Sequence, residues 1–219
     1  IQQNLTIRKG GIISMNKTLS QLSLDEKIGQ LIMIGFAALE INDHALELIR
    51  DYRVGNIILF ARNVDSPQQV FELNKALQKL AEEEFDIPLY ISIDQEGGMV
   101  TRMKNGSTFF PGAMTIAASG DPQNAFYVGK YMGQELISLG VNMNLAPPLD
   151  VNNNPKNPVI GVRSYSDDPE IVTTYGTQFI KGLQKYVVAT AKHFPGHGDT
   201  KVDSHLALPT VHLDEERFN

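Results

Sequence analysis

The sequence contains no cysteine. That single absence excludes disulfides, thiolate-bound zinc and a cysteine nucleophile together. It leaves the compartment open. No uninterrupted run reaches the roughly 20 apolar residues that a membrane-spanning helix requires. There is no internal repeat and no linker-like stretch. Positive charge is not in excess either. Against 19 Lys and Arg stand 25 Asp and Glu, a formal net charge of −6. Such a balance argues against a nucleic-acid-binding surface and suits an enzyme with a neutral or modestly polar substrate. No Met stands first, and "IQQNLTIRKGGIIS" lacks an apolar core of signal-peptide length. Met15 reads as the natural start, and residues 1–22 as an N-terminal leader or extension. The expected location is cytoplasmic, with secretion or surface attachment as the alternative. What is present is ordinary for a globular protein: 42% hydrophobic and 20% charged residues in a chain of 219.

Five short apolar runs recur: "QLIMIGF" (30–36), "NIILF" (56–60), "PLYISID" (88–94), "VNMNLA" (141–146) and "VVATAKHF" (187–194). Each is apolar nearly throughout, as a strand buried on both faces must be. Helical patterns separate them. "SLDE" (23–26) has the Ser-to-Glu spacing of a capping box. "NDHALELIRDY" carries apolar residues at helical spacing. Three further helices open on an N-cap followed by proline: Ser66-Pro67, Asp121-Pro122 and Asp168-Pro169. Gly140 is placed to stop the second of these three.

Strand and helix in alternation predict a parallel sheet covered by helices. The segments leaving the strand C-terminal ends are long (95–120, 147–167, 195–212), whereas the return loops are short. That asymmetry is expected of a (β/α)8 TIM barrel, whose chemistry sits after the strands. A doubly wound open sheet is the alternative, weakened by the lack of a Gly-rich phosphate fingerprint after the first strand. A closed barrel needs eight strands and typically about 250 residues, so the chain is expected to cover about the first five strands. "VHLDEERFN" at its end reads as the opening turn of a helix.

The unusual polar residues cluster in the long segments. In "IDQEGGMVTRM", Asp94 stands at a strand end and Arg102 is placed to return to the same pocket. A plain Asp–Arg salt bridge in a turn would use the same residues. Arg163 is the only arginine of "NLAPPLDVNNNPKNPVIGVRSYSDDP". It suits a hydroxyl-rich or anionic ligand, because guanidinium offers five fixed donors. The plainer reading pairs it with Asp167 or Asp168 at the surface.

"KHFPGHGDTKVDSH" holds three of the five histidines. Lys192 and His193 can reach one ligand only if the strand ends there, because neighbours on a strand face opposite ways. Asp203 and His205 stand two apart, close enough for a carboxylate to set an imidazole's tautomer. His193, His197, His205, Asp199 and Asp203 are also zinc-compatible types, although their spacing matches no compact metal motif. The spacing therefore leaves metal binding, acid–base catalysis and a structural role all open.

Together, "DQEGG-x-V-x-R", "GVNMNLAPPLDV", "NPVIGVRSYSDDPE" and "AKHFPGHGDTxxDSHxxLP" resemble the β-N-acetylglucosaminidase branch of glycoside hydrolase family 3. The likeness runs from about Ser23 to the end, with the motifs in family order. It implies residues 23–219 as the N-terminal part of a (β/α)8 catalytic domain. It implies a retaining exo-β-N-acetylglucosaminidase that removes non-reducing terminal N-acetylglucosamine through a covalent glycosyl-enzyme, in peptidoglycan or muropeptide turnover. Asp94, Arg102, Arg163, Lys192 and His193 resemble the family's sugar-binding residues. His205 resembles its general acid/base and Asp203 the partner in an Asp–His dyad. No cofactor or metal is implied; the partners would be N-acetylglucosamine-containing saccharides or muropeptides.

Two departures stand out. Met99 occupies a position where relatives often carry Arg. The family's nucleophilic Asp follows a later barrel strand, so it is expected beyond this chain. The competing readings are a metal-dependent hydrolase on the same barrel and a non-catalytic truncated remnant. Phosphate in place of water as acceptor would be a variant of the first reading.

Overall fold

The structure, a computed structural model, describes residues 17–201, 208 and 210. Residues 1–16 of the expected leader and the closing helical turn lie outside the described residues; residues 17–22 are described and hold a 3-10 turn, Leu19–Gln21, followed by the buried Leu22.

Five strands form one parallel sheet in chain order: β1 (Met33–Ile34), β2 (Asn56–Leu59), β3 (Tyr90–Ile93), β4 (Met143–Asn144) and β5 (Val188–Ala189). Each falls inside one of the five apolar runs. The register is continuous from Ile34 opposite Ile57 and Ile57 opposite Ile91 to Ile93 opposite Asn144 and Asn144 opposite Ala189. Ile91, Ser92 and Ile93 are all buried, so β3 is covered on both faces, as the middle strand of such a sheet should be.

Helices connect the strands. They are α1 (Leu24–Gly29), α2 (Asp43–Arg50), α3 (Pro67–Phe85), α4 (Ala113–Ala118), α5 (Pro122–Ser138) and α6 (Pro169–Leu183). The start signals act as the sequence suggests. Ser23 accepts the N–H of Glu26, Ser66 that of Gln69, Asp121 that of Gln123 and Asp168 that of Glu170. Each such cap is worth about 1 kcal/mol. Val70, Leu73, Leu77 and Ala81 repeat at helical spacing and bury one face of α3. Helix α4 falls within a segment expected to be loop. It is six residues long, and its N-cap, Gly112, has no side chain to signal the start; a single turn and a half carries too little periodicity to read.

Strand–helix alternation in a single parallel sheet is the arrangement of the first five units of a TIM-type barrel. Among the described residues β1 and β5 each pair on one side only. Apolar residues beside the β1 edge are correspondingly uncovered, Leu31 to 87%.

Helices α5 and α6 approach each other closely through glycine. A Cβ added at Gly182 would stand 2.1 Å from the carbonyl oxygen of Phe126, and one at Gly129 would stand 2.3 Å from that of Phe179. A Gly-to-Ala change in an exposed helix normally stabilises by about 0.5–1 kcal/mol. Here the clash reverses the sign. Gly182→Ala is expected to destabilise the protein by about 1–3 kcal/mol, read as a lower urea midpoint with unchanged slope. An unchanged midpoint would mean that the two helices are not held at this distance.

Candidate active site

All five strands point the same way, so the segments after them converge on one end of the sheet. Asp94 directly follows β3. The next residue, Gln95, is buried and closes the loop that follows. Its N–H donates to Asn144 Oδ1 at 3.0 Å, and Asn144 Nδ2 donates to its carbonyl at 2.8 Å. Gln95 Oε1 accepts the N–H groups of Arg102 at 2.8 Å and Met103 at 3.2 Å. Gly97 makes the turn at φ +90, and a Cβ there would meet the Pro111 carbonyl oxygen at 2.5 Å. The result brings Asp94, Glu96 and Arg102 to one wall.

The segment after β4 supplies Arg163. Asn157 Oδ1 accepts the N–H groups of Val159 and Ile160, which leads the chain into the short 3-10 turn Gly161–Arg163. The Arg163 guanidinium meets Glu96 as a fork, Nε to Oε2 at 2.9 Å and Nη2 to Oε1 at 2.8 Å. It also donates to the carbonyl of Val159 at 3.3 Å. Burial works against its charge, but Glu96 more than offsets this, and Arg163 is held above its ordinary value. Asp167 and Asp168 are not its partners. Asp168 is committed to the N-cap of α6, and Asp167 accepts from the Ser166 hydroxyl.

Lys192 completes the row. Its ammonium lies 2.7 Å from Asp94 Oδ1 and 2.6 Å from Glu96 Oε1. Arg102 Nη2 stands 3.7 Å from Asp94 Oδ2, within range of attraction but not a hydrogen bond. The order Arg102, Asp94, Lys192, Glu96, Arg163 thus alternates in sign. Arg102 Nε is buried without a hydrogen-bond partner among the described residues.

His193 is anchored from behind. Its Nδ1 lies 2.6 Å from Asp150 Oδ2, and the Asp150 side chain is fully buried. Asp150 Oδ1 accepts the N–H of His197 at 2.7 Å and, more weakly, that of His193 at 3.4 Å. Burial would raise the Asp150 carboxyl, but the His193 imidazole and these two N–H groups outweigh it and hold it below the usual carboxylate range. The strand ends at Ala189, which lets both Lys192 and His193 face the cleft. Asn154 and Asn157 fasten the rest of this turn. They donate to the carbonyls of Asp199 and Thr200, and of His197 and Gly198, respectively.

These groups line an open cleft of about 280 Å3, whose walls are Asp94, Glu96, Arg102, Arg163, Lys192 and His193, with His197, Val100 and Val159. All five residues expected to bind sugar meet there. Asp203 and His205 lie outside the described residues. Glu96 and Asp150 were not anticipated. Glu96 had a signal, its place two residues after Asp94 in a loop that folds back. Asp150 had only its position after a strand. Met99 is 77% exposed and is not part of the cleft wall. Among the described residues no three His, Asp or Glu converge as a metal would require.

Chemically, the cleft is a set of fixed donors on a floor of alternating charge with one cation in excess, suited to a compact polyhydroxyl ligand. The fold is a partial TIM-type barrel with this cleft at its strand ends. The model of the glycosyl hydrolase family 3 N-terminal domain matches residues 23–219, and the chain belongs to this family. A β-hexosaminidase A of Pseudoalteromonas piscicida is 48% identical over 179 residues, covering 79% of this chain and 30% of that protein. A glycoside hydrolase family 3 β-N-acetylglucosaminidase from Paenibacillus sp. str. FPU-7 superposes with a TM-score of 0.87 at 54% identity, over 90% of this chain and 38% of that one. NagZ from Neisseria gonorrhoeae, solved in complex with N-trifluoroacetyl-D-glucosamine, gives 0.77 at 32% identity, over 85% of this chain and 56% of that one. The chain therefore spans less than two thirds of each of these relatives.

The depressed Asp150 carboxyl has a consequence for stability. A group whose folded value lies below its unfolded one stabilises fully above the unfolded value and loses that contribution as pH falls through the folded one. The unfolded value is about 3.9. Asp150→Asn should therefore cost about 2 kcal/mol at pH 7, and the gap between the two proteins should narrow below about pH 4. Urea titrations of the full-length protein between those pH values check this; a gap that widens towards acid would contradict it.

Proposed function

We propose that this chain is the sugar-binding part of a retaining exo-β-N-acetylglucosaminidase. The observation that carries the reading is the cleft itself. Asp94, Arg102, Arg163, Lys192 and His193 come from three separate strand ends and face one space. The family membership and the N-acetylglucosamine analogue named in the complex of the gonococcal relative support it. Lys192 and Arg102 offer donors to sugar hydroxyls and an acetamido oxygen, and Asp94 accepts from a hydroxyl. The natural substrates would be N-acetylglucosamine-containing saccharides, with cytoplasmic turnover of muropeptides as the setting.

The roles then divide. Asp94 and Glu96 are both neutralised by short ion pairs, which makes either a poor nucleophile at an oxocarbenium-like centre. The nucleophile is assigned to a carboxylate outside these residues. The acid/base is assigned to His205 with Asp203 beside it. As acid, the imidazolium gives its proton to the leaving oxygen as the glycosidic bond breaks and the nucleophile attaches to C1. As base, the neutral ring takes a proton from water in the second step. A neutral imidazole does this without placing a second negative charge beside the nucleophile.

The full-length protein should release 4-nitrophenol from its N-acetyl-β-glucosaminide, with EDTA present or absent. His205→Ala or Asp203→Asn should lower kcat by about a hundredfold or more. Release that disappears only with EDTA would replace this reading with a metal-dependent one. No release from folded full-length protein would leave a binding remnant.

A further inference from the structure

Asp150 is the most deeply buried carboxylate at the site, and it has no direct access to the cleft. It accepts from three donors, all of them in the turn from His193 to His197. The two oxygens have separate tasks. Oδ1 takes the two backbone N–H groups, and Oδ2 takes the His193 ring nitrogen Nδ1 at 2.6 Å. A carboxylate can only accept, so Nδ1 must carry hydrogen. The remaining nitrogen, Nε2, is the one left for the cleft that His193 lines.

We propose that Asp150 is the positioning residue for His193: it holds the proton on Nδ1, fixes the ring plane, and so presents Nε2 to the bound sugar. This rests on the reading of His193 as a sugar-binding residue. In the neutral ring Nε2 is then an acceptor for a hydroxyl of the ligand. Without the carboxylate the ring could rotate or adopt the other tautomer, and the cleft-facing atom would change its hydrogen-bonding sense.

The isosteric change Asp150→Asn separates this role from simple packing. One amide position must become an NH2 group. If it faced the N–H groups of His193 and His197, donor would meet donor twice. The amide oxygen therefore keeps the backbone contacts, and the NH2 faces His193 Nδ1. That forces Nδ1 to accept and moves the ring proton to Nε2. The substitution preserves shape and inverts the tautomer.

The test uses full-length protein labelled with 15N-histidine, at about pH 8.5 where an ordinary imidazole is neutral. The His193 signal is assigned by its loss in His193→Gln. Wild type should show the proton on Nδ1, and Asp150→Asn should show it on Nε2. In turnover of the nitrophenyl substrate, Asp150→Asn should raise KM by about tenfold and lower kcat by less. In the His193→Gln background the same substitution should add nothing further to KM. An unchanged tautomer in Asp150→Asn, or a KM effect that adds in full to that of His193→Gln, would overturn the proposal. If wild type turned over no substrate, the glycosidase reading would fail, and the 15N signal alone would still decide the role of Asp150.

Discussion

The cleft depends on burying Glu96. Its side chain is 3% exposed, and an ion taken so far from water costs several kcal/mol unless it is paired and hydrogen-bonded. Arg163 answers with a two-point fork and Lys192 with a short contact. Lys192 in turn needs Asp94, and Asp94 lies beside Arg102. Three cations from three segments are thus located by two carboxylates two residues apart. No pair in the row is independent of its neighbours, so the cations keep their places before any ligand arrives. Catalytic domains gain from such order, because donors already in position need not reorganise as charge develops.

The same row explains a division of labour. The charges that line the cleft are held by side chains at strand ends, and the loops that carry them are tied down by neutral amides. Gln95 closes the β3 loop, Asn144 joins it to β4, and Asn157 turns the β4 segment towards Arg163. Amides serve well here, since one side chain both donates and accepts and neither act needs a counter-ion.

Much of this was legible in the chain. The strands could be read because parallel strands are buried on both faces and so stay apolar throughout. The helix starts could be read because Ser23, Ser66, Asp121 and Asp168 cap locally, within three residues. The five cleft residues were legible as a set through a family likeness. Their geometry was not, since Arg163 finds Glu96 across 67 positions. Pattern favoured the nearby Asp167 and Asp168 for that arginine, but a local cap had already claimed Asp168. Glu96 and Asp150 went unread for the same reason. Each acts through partners remote in sequence; the place of Glu96 two residues after Asp94 marked it only as near the site, and neither sequence context shows a carboxylate that will be buried. Helix α4 was missed because it is short and, unlike α1 of the same length, has no capping side chain at its start.

The turn after β5 has few contacts of its own, chiefly those of Thr200 to His197, and is shaped largely from outside. Asp150, Asn154 and Asn157 supply its backbone contacts from 40 to 47 positions earlier in the chain. Such contacts close late in folding, because the intervening chain must be ordered first. On the ribosome, where the N-terminal part emerges first, the template formed by residues 150–157 can be in place before Lys192 and His193 leave the exit tunnel. The order of synthesis therefore matches the order of dependence: the mould is made before the part it shapes.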